Sequence, residues 1–163
     1  MTSTSLPRIP LEPSWVDAIG RRASRRRFDG RPVSPEALAG IEAVSRSVRE
    51  AAQPVARAVL LVAAPEGLFK GLVGSYGKAV RGAPACMAFI GRGDWHLDLG
   101  FAGQAVVLAA TAAGLDTCWI AGSFDADAAA ADIELSDGEQ VGAVSPLGYG
   151  TARVGAVSAC SRQ

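Results

Sequence analysis

From residue 21 to residue 27 the chain reads Arg-Arg-Ala-Ser-Arg-Arg-Arg, a pattern of cations around one hydroxyl that suits a phosphate monoester. Such a group needs donors converging from several directions. Arginine supplies planar, bidentate, permanently charged donors, and a serine hydroxyl adds a short hydrogen bond. Arg22, Ser24 and Arg26 alternate. If the chain runs extended here, these three point to one side, and Arg25 and Arg27 point to the other, into solvent. The same residues also suit a basic helix C-terminus favoured by the helix dipole, and charge alone does not separate the two readings.

The surroundings sharpen the contrast. Residues 21–31 hold six arginines against one acid, Asp29, whereas Gly93 to Thr151 holds nine acids, one histidine and no lysine or arginine. The whole chain has 163 residues and a formal net charge of zero, so no global field draws it to nucleic acid or an anionic membrane. A basic patch on a neutral protein points to a small anionic ligand.

A second constellation is the string DLGFAGQAVVLAATAAGLDTCWIAGSFD, residues 98–125. It reads as a buried helix leading through Gly114 into a strand and then into Ala121-Gly122-Ser123. Backbone N–H groups in such a loop can donate to a flat heterocycle, and glycine permits close approach because it has no side chain.

The remaining chemistry-bearing residues read as ordinary. Cys86, Cys118 and Cys160 are an odd, widely spaced set without a CxxC pattern, so no metal centre is expected and buried reduced thiols in a cytoplasmic protein are the simplest reading. His96, the sole histidine, sits near the start of the central helix and lacks the partners of a metal or catalytic site. Trp15 and Trp119 read as core aromatics, and Tyr76 and Lys78 as loop residues. The N-terminal stretch MTSTSLPRIPLEPS has no apolar h-region, so no signal peptide is expected, and the longest apolar stretch, residues 101–113, is too short to span a bilayer.

The elements that must position these groups follow from periodicity and punctuation. Residues 1–12 read as a loose tail. Ser14 stands where an N-cap belongs, with a helix to about Arg22. Ser34-Pro35-Glu36 opens a second helix to about Glu50. Residues 56–63 read as a buried strand, residues 65–81 as a short helix and loop, and residues 85–90 as a second strand. The central helix spans 98–114 with Asp98 as its cap. Residues 115–120 form a third strand, 125–132 a short helix, and 141–147 a fourth strand. Helices alternating with buried strands imply a mostly parallel or mixed sheet covered by helices.

Taken in order, RRASRRRF, YGKAVRGAPACMAFIG, DLGFAGQAVVLAATAAGLDTCWIAGSF and GEQVGAVSPLGYG resemble the nitroreductase family of FMN-dependent oxidoreductases, most closely its short TM nitroreductase branch. The resemblance covers residues 14–150. It implies an α+β, three-layer fold with a mixed central sheet of about four strands, a single domain over 13–150 and an irregular tail over 151–163. It also implies a homodimer with FMN at the interface and NADH or NADPH as electron donor. The acceptors would be small molecules, nitroaromatic or quinone-like.

Carried over by position, Arg22, Ser24 and Arg26 match the phosphate and ribityl contacts. Arg21 and Ala23 are their neighbours, and Ala121 and Gly122 match the loop whose amide approaches flavin N5. Hydride chemistry belongs to the cofactor, so no catalytic side chain is implied. Three positions depart from the family pattern. Ala51 stands where many members carry Asn, and Ala121 where many carry an acid. The tail TARVGAVSACSRQ does not resemble the family's C-terminal arm, so the chain reads as C-terminally shortened. A non-catalytic flavin- or nucleotide-binding module of the same fold is the alternative these departures suggest.

Overall fold

The computed structural model describes residues 12–51, 56–64, 67–69, 80–93 and 96–151. Residues 1–11 and 152–163, Tyr76 and Lys78 lie outside them.

Why each helix starts where it does is visible locally. Helix α1 spans Pro13–Arg21, with Glu12 at the N-cap and no side-chain cap bond. The expected Ser14 cap is therefore displaced: proline suits the first helical position, where its missing N–H is not needed, so the helix begins before Ser14. Helix α2, Pro35–Ala51, starts as expected, and Ser34 Oγ accepts a 3.3 Å hydrogen bond from the Ala37 N–H. Helix α3, His96–Ala112, begins two residues before Asp98, which lies in its first turn and favours the helix dipole from there. Gly114 follows with φ +81°, the left-handed conformation that ends a helix. Helix α4, Ala126–Ala130, is capped by Asp125, whose carboxylate accepts from the Ala128 N–H at 2.9 Å.

The sheet has four strands: β1 (Ala56–Leu61), β2 (Ala85–Arg92), β3 (Asp116–Thr117) and β4 (Glu139–Gly148), in the order β1-β2-β4-β3. Every ladder between them is antiparallel. Among the described residues, parallel pairing is confined to two single bridges, Ser24–Thr117 and Arg27–Arg81. The helix–strand alternation suggested more parallel pairing, and the topology explains the difference. The β2-α3-β3 crossover does make β2 and β3 run the same way, but it skips one position. The last strand, β4, fills that gap running back, so it meets antiparallel neighbours on both sides. Strand β3 is also shorter than expected. Only residues 116–117 form a ladder, and Ile120 returns to the sheet through one bridge to Val144.

Two cores flank the sheet. Alternating residues of a strand face opposite sides. In β2, Ala85, Met87 and Phe89 join the core beneath α1, α2 and α3, whereas Cys86, Ala88 and Ile90 join a second core with Leu68, Ala129 and Ile133. The result is the three-layer α+β arrangement. Helix α3, apolar nearly all round, packs against α1, α2 and all four strands, the covering such a helix requires.

One polar cluster staples the sheet. Arg57 on β1 reaches Glu139 on β4 across the intervening strand, with Nε and Nη2 donating to the two carboxylate oxygens at 2.9 and 2.8 Å. Nη2 also donates to the Glu134 carbonyl at 2.7 Å. The Arg57 hydrogen bond, with help from the Ser136 N–H and nearby Arg92, lowers the Glu139 carboxyl from 4.5 to about 2. A carboxyl depressed in the folded state stabilises the fold above its unfolded pKa, and that stability is lost as pH falls through the folded value. The window here runs from about pH 4.5 down to about 2, and the stability at stake is on the order of 2 kcal/mol. Urea unfolding at pH 7, 4 and 3 should show this loss in the native protein. In Glu139→Gln the midpoint should be lower at pH 7 and should fall less with acid.

Candidate functional site

Helix α1 stops at Arg21, and Arg22 is already extended at φ −59°, ψ 126°. The helix-dipole reading therefore applies to Arg21 alone. From Arg22 onward the chain runs extended and is pinned on both sides. Its Arg25 N–H donates to the Thr117 carbonyl at 2.9 Å, and the Phe28 N–H to the Arg81 carbonyl at 2.9 Å. The Arg81 N–H donates to the Arg26 carbonyl and the Thr151 N–H to the Arg27 carbonyl, at 2.9 and 3.0 Å. Phe28 is buried and anchors the segment. Close approach on this side depends on glycine. A Cβ on Gly82 would sit 2.4 Å from the Phe28 carbonyl oxygen, and one on Gly150 2.5 Å from an Asp116 carboxylate oxygen.

This pairing sorts the side chains. The Ser24–Thr117 bridge sets those two residues on one face, and Arg25 and Asp116 on the opposite face. Ser24 and Arg26 are exposed, Arg22 and Ala23 half-buried, and Arg21 exposed. Arg25 does not match its expected solvated position. It is half-buried, its Nε lies 3.4 Å from an Asp116 carboxylate oxygen, and the other oxygen of that carboxylate accepts the Gly150 N–H at 2.9 Å. The acid on β3 was too far away in sequence to be matched with it. Arg27 is exposed as expected.

On the Ser24 face the structure adds a residue that the sequence reading passed over. Thr117 is 1% exposed, and its Oγ1 has no hydrogen-bond partner. A buried hydroxyl normally finds one, so this orphan sits where a polar ligand contact would satisfy it. Its signal in the sequence was its place within the Leu115–Trp119 motif, directly before Cys118 and Trp119.

The second group of candidates hangs on the continuation of the same short strand. Four residues after Thr117, Ala121 and Gly122 are exposed, and Gly122 has φ +73°. A Cβ there would meet nothing within 4 Å, so the need for glycine is conformational. The loop starts from a fixed point. Trp119 stacks on Phe89 with ring centroids 4.3 Å apart and donates from Nε1 to the Gln104 side-chain oxygen at 3.0 Å. Gly103 makes room for it, since a Cβ there would lie 2.4 Å from the Trp119 ring. Both tryptophans thus act as core aromatics, Trp15 being buried.

The other residues are structural. Cys86 and Cys118 are buried free thiols, and burial pushes Cys86 up to about 12, far from a reactive thiolate. His96 is the first residue of α3. Among the described residues no group of three or more His, Cys, Asp or Glu side chains gathers to hold a metal, and no helix is long and apolar enough to cross a membrane. A groove of about 340 Å³ lies elsewhere, between α2 and the edge strand β1, and is lined by Glu42, Ser45, Arg46, Arg49 and residues 57–60. No candidate ligand contact faces it.

A three-layer α+β fold with an extended Arg/Ser segment bridged to the short end strand β3 defines the class: a nitroreductase-type oxidoreductase fold. The family model described as Putative TM nitroreductase matches residues 15–162, and the chain belongs to that family. The match runs further toward the C-terminus than the motifs alone. Solved structures agree on the fold. A nitroreductase family protein from Clostridium novyi NT is 18% identical, with 86% of this chain and 87% of that chain covered and a TM-score of 0.66. The FMN-dependent nitroreductase of Clostridium difficile R20291 is 18% identical over 85% and 88%, with a TM-score of 0.60. The "Putative NADH dehydrogenase/NAD(P)H nitroreductase" of Parabacteroides distasonis ATCC 8503 is 22% identical over 87% and 90%, with a TM-score of 0.65. No curated protein matches the sequence.

Proposed function

We propose that this chain is an FMN-dependent oxidoreductase in which Arg22, Ser24 and Arg26 hold the flavin phosphate. The carrying observation is that the chain leaves α1 at Arg22 and sets Ser24 against Thr117, whose buried hydroxyl has no hydrogen-bond partner, with Arg22 and Arg26 two residues to either side. Arg21 adds charge at the helix end, Ala23 contributes backbone, and the Ala121–Gly122 loop offers its amides to the flavin ring. Bound FMN supplies the redox chemistry, accepting a hydride from NADH or NADPH and reducing a nitroaromatic or quinone-like acceptor. The chain's own residues bind and orient. The names of the C. difficile and P. distasonis relatives support the cofactor and the donor.

A homodimer completes this reading. Ser24, Arg26, Ala121 and Gly122 are exposed, so one chain alone leaves a flat ligand open to water. Val16 and Ile19 on α1 and Leu97 and Phe101 on α3 are exposed apolar residues suited to a second copy. A cytoplasmic site of action fits the buried free thiols.

The test is the absorbance of the purified protein with and without added FMN, followed by NADH and NADPH oxidation with a quinone. A yellow dimer that turns over is expected. A colourless protein that takes up no FMN overturns the reading, and a yellow protein without turnover leaves only the non-catalytic module.

A further inference from the structure

Besides Arg26, four arginines and two acids lie around the 25–31 segment, and the acids are already committed. Arg25 is paired with Asp116. Asp29 accepts from the Arg31 backbone N–H at 2.9 Å and from Arg31 Nε at 2.7 Å. These contacts hold the Asp29 carboxyl below its ordinary range. Arg31 in turn lies over the Tyr149 ring at 4.3 Å. Arg27 and Arg81 remain. They are bridged directly to each other in parallel, both are exposed, and neither has an ion-pair partner among the described residues.

Placing like charges opposite each other across a strand pair is unfavourable. The backbone bonds fix the pair, with the Phe28 N–H donating to Arg81 and the Arg81 N–H to Arg26. The two guanidiniums therefore start from adjacent Cα positions on one face. Neighbouring residues of an extended chain face opposite sides, so this face is the one turned away from Ser24 and Arg26. It is a cation pair separate from the proposed flavin grip and joined to it by a single peptide bond.

We infer that Arg27 and Arg81 form a second phosphate site, which takes a phosphate carried by the nicotinamide donor. Two guanidiniums side by side match a phosphate dianion through paired N–H donors. A phosphate on the adenosine ribose is the group that distinguishes the two nicotinamide donors, so occupancy of this site by the donor makes the protein prefer NADPH to NADH. This inference rests on the oxidoreductase reading for the identity of its ligand, but not for the existence of the site.

The experiment titrates the full-length protein with NADP+, NAD+ and inorganic pyrophosphate at low salt, by calorimetry, with and without FMN. NADP+ should bind about tenfold more tightly than NAD+. Arg27→Ala and Arg81→Ala should each remove most of that difference, Arg27→Lys should keep part of it, and FMN uptake should be unchanged in all three. Pyrophosphate should bind more weakly than NADP+ and lose affinity in the same two alanine variants. Equal affinity for NADP+ and NAD+, or a preference that survives both alanine variants, overturns the inference. Pyrophosphate binding as tightly as NADP+ overturns the donor as the source of the phosphate. A protein that takes up no FMN, yet binds pyrophosphate through Arg27 and Arg81, sinks the flavin reading and leaves this site standing.

Discussion

Replacing Arg22 and Arg26 together by alanine should raise the dissociation constant for FMN at least about 100-fold. Each charge-assisted hydrogen bond to a phosphate is worth about 1.5–3 kcal/mol, which is roughly a factor of ten or more per arginine. Ser24→Ala removes a neutral donor and should cost about 1 kcal/mol, several-fold in affinity. Neither arginine is in the core, so thermal unfolding without flavin should shift little. Arg49→Ala on α2 removes the same charge far along the chain from the grip and should leave FMN binding intact. Quenching of flavin fluorescence on titration measures all three variants. Unchanged affinity in the double variant would mean that the phosphate lies elsewhere.

The second large effect is expected at a residue with no side chain. Gly82 has φ +72°, and a Cβ there would lie 2.4 Å from the Phe28 carbonyl oxygen and 3.2 Å from its carbon. The left-handed conformation alone costs a side-chain-bearing residue about 1 kcal/mol. The contact is with backbone, so no rotamer change relieves it. Gly82→Ala should therefore destabilise the fold by about 2–4 kcal/mol. It should also weaken FMN binding, because Arg81, the preceding residue, holds Arg26 in place through its N–H. Urea denaturation and flavin titration read the two effects on one preparation. A midpoint within experimental scatter of the native protein would show that Phe28 can yield, and with it that the segment is not rigidly held.

Much of this arrangement was legible in the residues because its causes are local. Ser34-Pro35-Glu36 announced α2, Gly114 ended α3, and Asp125 capped α4. The expectation that the chain leaves the helix near Arg22 matches its extended backbone there. What was not legible depends on residues far apart in the chain. Strand direction hinged on β4 filling a gap left by an earlier crossover, and nothing within β4 records its neighbours. The Arg25–Asp116 pair joins residues brought together only by β3, so charge pattern alone left Arg25 in solvent. Thr117 looked like an ordinary strand residue, because a missing hydrogen-bond partner is a property of packing. Ser14 misled because its composition suited a cap that Pro13 had already made unnecessary.

The position of β4 also sets the order in which the protein can be made. Of the described strands this one leaves the ribosome last, yet it lies inside the sheet, between β2 and β3. The N-terminal arginine segment bonds to Arg81 and Thr117, and its far end closes against still later residues, through Asp29 to Tyr149, Phe28 to Gly150 and Arg27 to Thr151. A nascent chain can form α1 and α2 early, but it cannot close the loop from residue 28 to residue 150 until residue 150 has been made. Such long-range closure is slow, because its entropy is lost before its contacts form. The far end of the arginine segment is therefore fixed only after β4 is in place, and a ligand that needs the whole segment ordered binds after that step.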